Sequence, residues 1–494
     1  MLLGIDIGTS SVKAMLLDEE NGRSYVAARE YDVVIPKKGF AEQDPETWWE
    51  LLKEVLSELK YKDGNGFEKI SSIGFSGQMH GLVMVDKDGR PVRNAILWLD
   101  QRSEKQLDEI KEQVSFQEMV STTHNRPFTG FAFPSLLWVK ENEPEVYDRC
   151  YKIMHPKDFI RLRLTGRFGS DMSDASSSSG FNVGGRNWAW DIMRRMGIDE
   201  DKLPECHEAT ETAGAVTAEA AKETGLKEGV TVVFGSGDQP AQSIGNGAVK
   251  EGIVISNIGT GGQIATYSAK DACDRYLRTH TFCHGIGKAY TIFGASLCSG
   301  LSLKWLKNNV VGAESDDVMS KMADEVPAGS EGLIYLPYLT GERTPHMNPK
   351  AKGIFFGMSL VHDRRHFARA VMEGVTFGLK DSLEIFNEMG LSVDRIIASG
   401  GGAKSSVWLQ MQADIFEKEV IVCKVKEQAC LGACIMAGIG EGVFADAEEA
   451  ADKLVEFDDR VYTPSPETAR KYRAAYSVFK KIYAANKELF EIEY

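Results

Sequence analysis

Asp6 stands alone in the apolar opening run Leu2-Leu3-Gly4-Ile5-Asp6-Ile7 and is followed at once by Gly8-Thr9-Ser10-Ser11. A carboxylate on an otherwise apolar strand is costly unless something compensates it. The compensating group is either an N–H or arginine partner, or a hydrated Mg²⁺, a hard cation that takes carboxylates and keeps its waters. Phosphates want backbone N–H groups aimed into a concavity, and glycine lets the chain come close. Gly8-Thr9-Ser10-Ser11 meets that need, and so does Gly259-Thr260-Gly261-Gly262; neither is a GxxxxGK[ST] loop, which the chain lacks. A second acid, Asp238, sits in Phe234–Asn246, FGSGDQPAQSIGN, after a predicted strand over Val230–Phe234 and just before Pro240, an early-helix residue. An acid on such a bend is a helix N-cap or a catalytic base. Gly400-Gly401-Gly402, between a predicted strand and a helix, is a tight turn or a nucleotide seat. The eight cysteines include no CxxC pair, and Cys430 and Cys434, which share a helix face, have no second pair nearby. They read as buried reduced thiols, not a metal site.

These residues need elements to hold them. Gly4 to Val33 reads as strand, glycine turn, strand, turn, strand, with Ile5 and Ile7, then Val12, Met15 and Leu16 as the apolar groups. Trp48, Leu51, Leu52, Val55, Leu56 and Leu59 recur at helical spacing from a start near Asp44-Pro45. A strand over Ile70–Phe75 then runs into SGQMHG, so the class is α/β. Gly4–Asp18 has a partner at Ile255–Ser268, with Ile7-Gly8-Thr9 matching Ile258-Gly259-Thr260. One copy opens each half, which predicts two similar domains facing a shared ligand. The boundary falls near Ala248–Gly252, giving units of 1–247 and 248–494. In the second unit a long helix carries Phe367, Ala370, Val371, Val375, Leu379, Leu383 and Phe386 and stops at Gly390. A strand over Arg395–Ala398 leads through the three glycines to a helix with Trp408, Met411 and Ile415, and the C-terminal stretch reads as an amphipathic helix. Ser176–Ser179 reads as a loop.

A chain of 494 residues exceeds one ordinary core. Its 43% hydrophobic and 26% charged residues suit a folded globular protein. The net charge of −15 argues against nucleic acid and anionic membranes as partners. The opening run has no basic region and no cleavage site, and no stretch approaches the ~18 apolar residues of a membrane span. A cytoplasmic location is expected.

IDIGTSSVKA, SGQMHG, ILWLDQR, PKDFIRLRLTG, GSGDQPA, LPYLTGERTPH, KGIFFGMSLVHDRRHFARAVMEG and SGGGAKSSVWLQMQADIF occur in this order from about residue 1 to about residue 440. Together they resemble the FGGY carbohydrate kinases. The resemblance implies an actin-like, ribonuclease H-like fold of two duplicated domains, with the active site in the cleft between them. It implies ATP and Mg²⁺ as cofactors and a small-molecule sugar as the acceptor. Within the family, Gly77-Gln78-Met79-His80-Gly81 is most similar to members acting on xylulose, whereas glycerol kinases place an Arg-Glu pair at Met79-His80. By position the resemblance makes Asp238 the base and Asp6 a second catalytic residue beside the metal. Met79, His80, Trp98, Asp238 and Gln239 are the expected sugar contacts. Thr9, Ser10, Lys13, Gly259, Thr260, Gly300, Lys304, Gly402, Ala403 and Ser406 are the expected ATP contacts. The expected reaction is phosphorylation of D-xylulose to D-xylulose 5-phosphate, and the expected assembly is a homodimer. Ser135 departs from the family, which often has lysine there, and the Ser176–Ser179 stretch is unusual. Other readings are action on ribulose, glycerol or gluconate, an actin-like or chaperone-like ATPase, and a sugar-binding regulator without turnover.

Overall fold

The computed structural model describes residues 1–492. Strands β1 (Leu2–Ile7), β2 (Ser11–Leu17) and β3 (Ser24–Glu30) form the expected antiparallel meander. Helix α1 (Pro45–Lys62) follows; Asp44 caps it by accepting the Glu46 N–H at 3.0 Å, and Pro45 takes the first helical position. Its buried face, Trp48, Leu52, Val55, Leu56 and Leu59, packs on β2 and β3. Strand β4 (Ser72–Gly77) is buried throughout and lies parallel to β1. Further along, past shorter helices and strands, come helix α2 (Pro156–Thr165), β5 (Thr212–Ala215), β6 (Thr231–Val233), β7 (Ser236–Gly237) and helix α3 (Asp238–Gly245). The sheet order is β5-β6-β4-β1-β2-β3, and β7 pairs in parallel with the end of β4.

The second half repeats this pattern. Strands β8 (Gly252–Ile258), β9 (Gly262–Ser268), β10 (His280–Cys283) and β11 (Tyr290–Ser296) precede helix α4 (Gly300–Leu306). Helix α5 (Arg364–Glu388) leads to β12 (Val393–Gly400), helix α6 (Ser406–Phe416), β13 (Glu419–Val422), and helices α7 (Gln428–Glu441) and α8 (Pro466–Asn486). The order is β10-β11-β9-β8-β12-β13. β8 is antiparallel to β9 and parallel to β12, as β1 is antiparallel to β2 and parallel to β4. This duplication is the actin-like, ribonuclease H-like α/β architecture. The copies differ where it matters chemically, because Asn257 stands in β8 where Asp6 stands in β1.

Met389 is the C-cap of helix α5, and Gly390 follows with φ of 76°, the left-handed stop that the sequence predicts. No helix among the described residues is long and apolar enough to cross a membrane.

Helix α7 belongs to the second half by sequence but lies on the first sheet, against β1 and β4, and crosses α3. Glycines permit the approach. A Cβ on Gly74 would come within 2.0 Å of the Ala433 carbonyl oxygen, and one on Gly432 within 1.9 Å of the Ala241 oxygen. Gly432→Ala must therefore move backbone against backbone, costing about 1–3 kcal/mol as an overpacking substitution. Gly64→Ala, with nothing within 4 Å, should be nearly neutral, and urea midpoints of the two variants check the contrast.

Candidate active site

Three parallel strands end side by side in the first sheet, and their ends carry the acids. Register pairs Asp6 with Ser76 and Ile7 with Gly77, then Ser76 with Ser236 and Gly77 with Gly237. Gly8-Thr9, Gln78-Met79-His80 and Asp238 therefore emerge at one edge, outside the carboxyl ends of the strands, where open α/β sheets place ligands. The Gly8 turn is closed by its N–H to the Ser11 carbonyl, 3.0 Å, and the Tyr31 hydroxyl donates to the Gly8 carbonyl.

Asp238 is the first residue of α3, and Gly237 holds the N-cap position. Its carboxyl still meets the Gln239 backbone N–H at the helix start. Burial and then the neighbouring Asp6 carboxylate push the Asp238 carboxyl up to about 7. Burial also raises Asp6, against the Ser76 hydroxyl, which donates to Oδ1 at 2.7 Å, and the charge of Lys13. Asp6 Oδ2 accepts no hydrogen bond among the described residues.

A cavity of about 150 Å³ opens between Asp238 and a group of aromatic rings. It brings together Thr9, Met79, His80, Trp98, Asp238 and Gln239. His80 takes a left-handed φ of 72°, a strained position for a non-glycine residue. Its ring stacks on Phe131 at 3.9 Å between centroids, and Nδ1 lies 2.8 Å from the Ser177 carbonyl oxygen. Burial pushes this imidazole down to about 3, so it is neutral; Nδ1–H donates to the carbonyl, and Nε2 is left as an acceptor. The Trp98 indole N–H donates to the Thr9 hydroxyl at 2.9 Å, tying the sugar wall to the phosphate turn. A Cβ on Gly237 would meet Met79 Cγ at 2.6 Å, so glycine is needed beside the acid.

A second cavity, about 650 Å³, lies at the matching edge of the other sheet. Gly259, Thr260, Gly300, Lys304 and Gly402 line it, with Lys307, Ser405 and Trp408. The Gly300 N–H donates to the Gly259 carbonyl at 2.9 Å, and a Cβ on Gly300 would come within 2.4 Å of that oxygen. Five of the expected ATP residues lie outside this group. Thr9 lines the smaller cavity, and Ser10 is exposed at the first turn. Lys13 is ion-paired to Glu427 at 2.7 Å. Ala403 and Ser406 lie within two residues of Ser405, whose hydroxyl accepts the Trp408 backbone N–H at 3.2 Å and caps α6.

Sequence reasoning assigned no role to several cavity residues. Phe131, His280, Phe293 and Ala295 sit on elements given no motif above, while Gln263 directly follows the second glycine turn and Arg343 lies in the ERTPH run that marks the family. The serine stretch leaves a short helix at Ser176 and continues as a turn, all of it buried, and it holds the site from behind. Ser173 Oγ accepts the Gly237 N–H at 2.9 Å, and Ser176 Oγ accepts the Cys283 N–H at 2.9 Å. Ser177 holds His80, so one short segment positions the turn before Asp238, the His80 ring and strand β10. Beneath it, Lys157 Nζ pairs with Asp158 and Asp171 at 2.7 Å and with Asp174 at 3.0 Å, all buried. Ser135 is fully buried and outside the cavity lining. Cys430 and Cys434 are free and buried in α7.

Two duplicated domains, with acids on one strand edge and a glycine-lined cavity on the other, define a phosphoryl-transfer enzyme of the actin-like class. The model for the FGGY family of carbohydrate kinases, N-terminal domain, matches residues 1–245, and that for its C-terminal domain matches residues 254–441. The chain belongs to the FGGY family of carbohydrate kinases. It is 38% identical over 490 residues to a xylulose kinase of Lactococcus lactis subsp. lactis, covering 99% of this chain and 97% of that protein. It is 36% identical over 488 residues to a xylulose kinase of Bacillus subtilis, with the same coverage. A xylulose kinase structure from Rhodospirillum rubrum superposes with a TM-score of 0.94 at 29% identity, covering 99% of each chain.

Proposed function

We propose that the protein transfers the γ-phosphoryl group of ATP to the primary hydroxyl at C5 of D-xylulose. One observation carries the reading: a carboxyl held at about 7 faces a small cavity of mixed polar and aromatic lining beside a phosphate-type glycine turn. A base poised near neutrality both ionises and accepts a proton efficiently. Asp238 takes the hydroxyl proton as the oxygen attacks the γ-phosphorus in line. Met79, His80, Trp98 and Gln239 hold the ketose, with Nε2 of His80 accepting from a sugar hydroxyl. The turns at Gly8-Thr9-Ser10 and Gly259-Thr260 present N–H groups to the β- and γ-phosphates, and Lys13 supplies a nearby cation. The larger cavity takes the nucleotide, with Gly300, Lys304, Gly402, Ala403 and Ser406 around it. The halves, 1–247 and 248–494, close about the connection near Ala248–Gly252 and exclude water from the transfer.

Asp6 fits Mg²⁺. Its Oδ2 is free of hydrogen bonds, and the described residues hold no cluster of three or more metal-ligating side chains. That donor set suits an ion bound through one or two carboxylates, water and substrate phosphates. When bound, Mg²⁺ neutralises charge on the phosphates. A cytoplasmic location and a homodimer belong to the same proposal. The exposed run Phe356, Met358, Leu360 and Val361 is the apolar surface a second copy would cover, and sedimentation velocity tests it.

Among D-xylulose, D- and L-ribulose, L-xylulose, L-fuculose, gluconate and glycerol, D-xylulose is expected to give the highest kcat/KM in a coupled ADP-release assay. Ribulose or glycerol turning over about ten-fold better, a difference of about 1.4 kcal/mol in transition-state binding, would overturn the xylulose assignment and leave a sugar kinase. ADP release indifferent to sugar would favour the actin-like ATPase reading.

A further inference from the structure

Arg343 brings a guanidinium to the sugar cavity with no hydrogen-bond or ion-pair partner for it among the described residues. Its neighbour Glu342 is already engaged. Glu342 Oε2 accepts the Ser296 hydroxyl at 2.8 Å, and Oε1 accepts the N–H of Leu297 at 3.0 Å and that of Arg343 itself at 2.7 Å. The guanidinium carbon instead lies 5.1 Å from the Phe128 centroid. Phe128 packs at 5.6 Å against both Phe131 and His280, and Phe131 carries the His80 stack. Arg343 therefore occupies the aromatic end of the cavity, while Asp238 occupies the strand-end side next to Asp6.

His280 supplies the complementary function. The Asn125 amide group donates to the Thr123 and Thr281 carbonyls, both at 2.8 Å, which fixes Oδ1 as the acceptor toward His280 Nδ1 at 3.1 Å. Nδ1 must carry the proton, and Nε2, buried on a side chain only 2% exposed, is left as an acceptor without a partner. Burial and the positive charge of Arg343 hold both His80 and His280 neutral. One end of the cavity thus offers a group that can only donate and a nitrogen that can only accept. Leaving the buried His280 nitrogen unpaired is costly, and the half-buried guanidinium stands free beside it to donate to the same ligand.

We propose that Arg343 and His280 are specificity-determining residues for the hydroxyketone end of the open-chain sugar. The guanidinium donates to the C2 carbonyl oxygen, and His280 Nε2 accepts the C1 hydroxyl proton in a hydrogen bond. The inference rests on Asp238 engaging the opposite end of the substrate. A site built to satisfy a carbonyl rejects the analogue that lacks it, because its own polar groups are then left unpaired.

The test compares D-xylulose with xylitol, in which the carbonyl is reduced, by steady-state kinetics and by calorimetric binding. Wild type should prefer D-xylulose at least about 100-fold. Arg343→Met should lower kcat/KM for D-xylulose roughly ten- to a hundred-fold, mainly through KM, and leave xylitol nearly unchanged. Arg343→Lys, which keeps the charge but loses the planar fork, should fall between them. His280→Phe, which keeps the ring packing, should flatten the same ratio. D-xylonate should inhibit wild type more tightly than Arg343→Met, since a carboxylate also satisfies the guanidinium. Equal losses on D-xylulose and xylitol in a variant that melts like wild type, or a loss confined to kcat, would overturn the proposal. If Asp238→Asn retained turnover while Arg343→Met still flattened the ketose-to-polyol ratio, the base assignment would fail and the arginine assignment would stand.

Discussion

Asp238→Asn should lower kcat at least a hundred-fold while D-xylulose affinity stays close to wild type. General-base catalysis contributes about 10²–10⁴-fold, and asparagine keeps the size and hydrogen-bonding shape of the side chain without accepting the proton. The pH dependence provides a second signature. The carboxyl is held up to about 7, so kcat/KM of the wild type should fall as pH drops through that value and the base becomes protonated. Asp238→Asn should lose this acidic limb. Stability should move in the opposite sense. A carboxyl raised in the folded state binds more protons there than in the unfolded chain, so its contribution is favourable at low pH and is lost as pH rises toward 7. Removing the charge should therefore raise the melting temperature at pH 8 and leave it nearly unchanged at pH 4. Ser236→Ala, two residues earlier, should cost far less activity, since Ser236 Oγ donates only to the Gly237 carbonyl at 3.0 Å. A folded Asp238→Asn protein with most of its activity would show that Asp238 is not the base.

Asp6→Ala should reduce kcat/KM for MgATP by about 10²–10³-fold, the range for losing one preorganised electrostatic group at a transferring centre. Calorimetric D-xylulose affinity should be nearly intact, because Asp6 is not among the residues lining the sugar cavity. Asp6→Asn, which keeps the side-chain size and an oxygen for the Ser76 hydroxyl, serves as the conservative partner. In both variants the acidic limb should move to lower pH, since the Asp6 carboxylate is one cause of the raised Asp238 carboxyl. Lost sugar binding with an unaltered Mg²⁺ requirement would contradict this role.

The sequence by itself determined what local rules control. Asp44-Pro45 starts α1, Gly390 stops α5, and the two Ile-Gly-Thr turns form hairpins, because caps and tight turns depend on residues within a few positions of one another. The lone Asp6 and the Gly-bounded Asp238 were conspicuous for the same reason, since an acid in apolar or glycine-rich surroundings is visible without coordinates. Only the tertiary structure decided which distant segments meet. Strand pairing sets Asp6, Ser76 and Ser236 side by side. Backbone contacts at Gly74 and Gly432 bring α7 from the second half onto the first sheet. Ser176–Ser179 reads as a loop, yet Ser176 and Ser177, with Ser173 just ahead of them, hold Cys283, His80 and Gly237, partners about 64 to 107 positions away. The raised Asp238 carboxyl and an Arg343 guanidinium with no hydrogen-bond partner among the described residues likewise exist only once packing removes water and assigns Glu342 to other donors. Desolvation and partner choice are properties of the assembled neighbourhood, and no short window of residues encodes them.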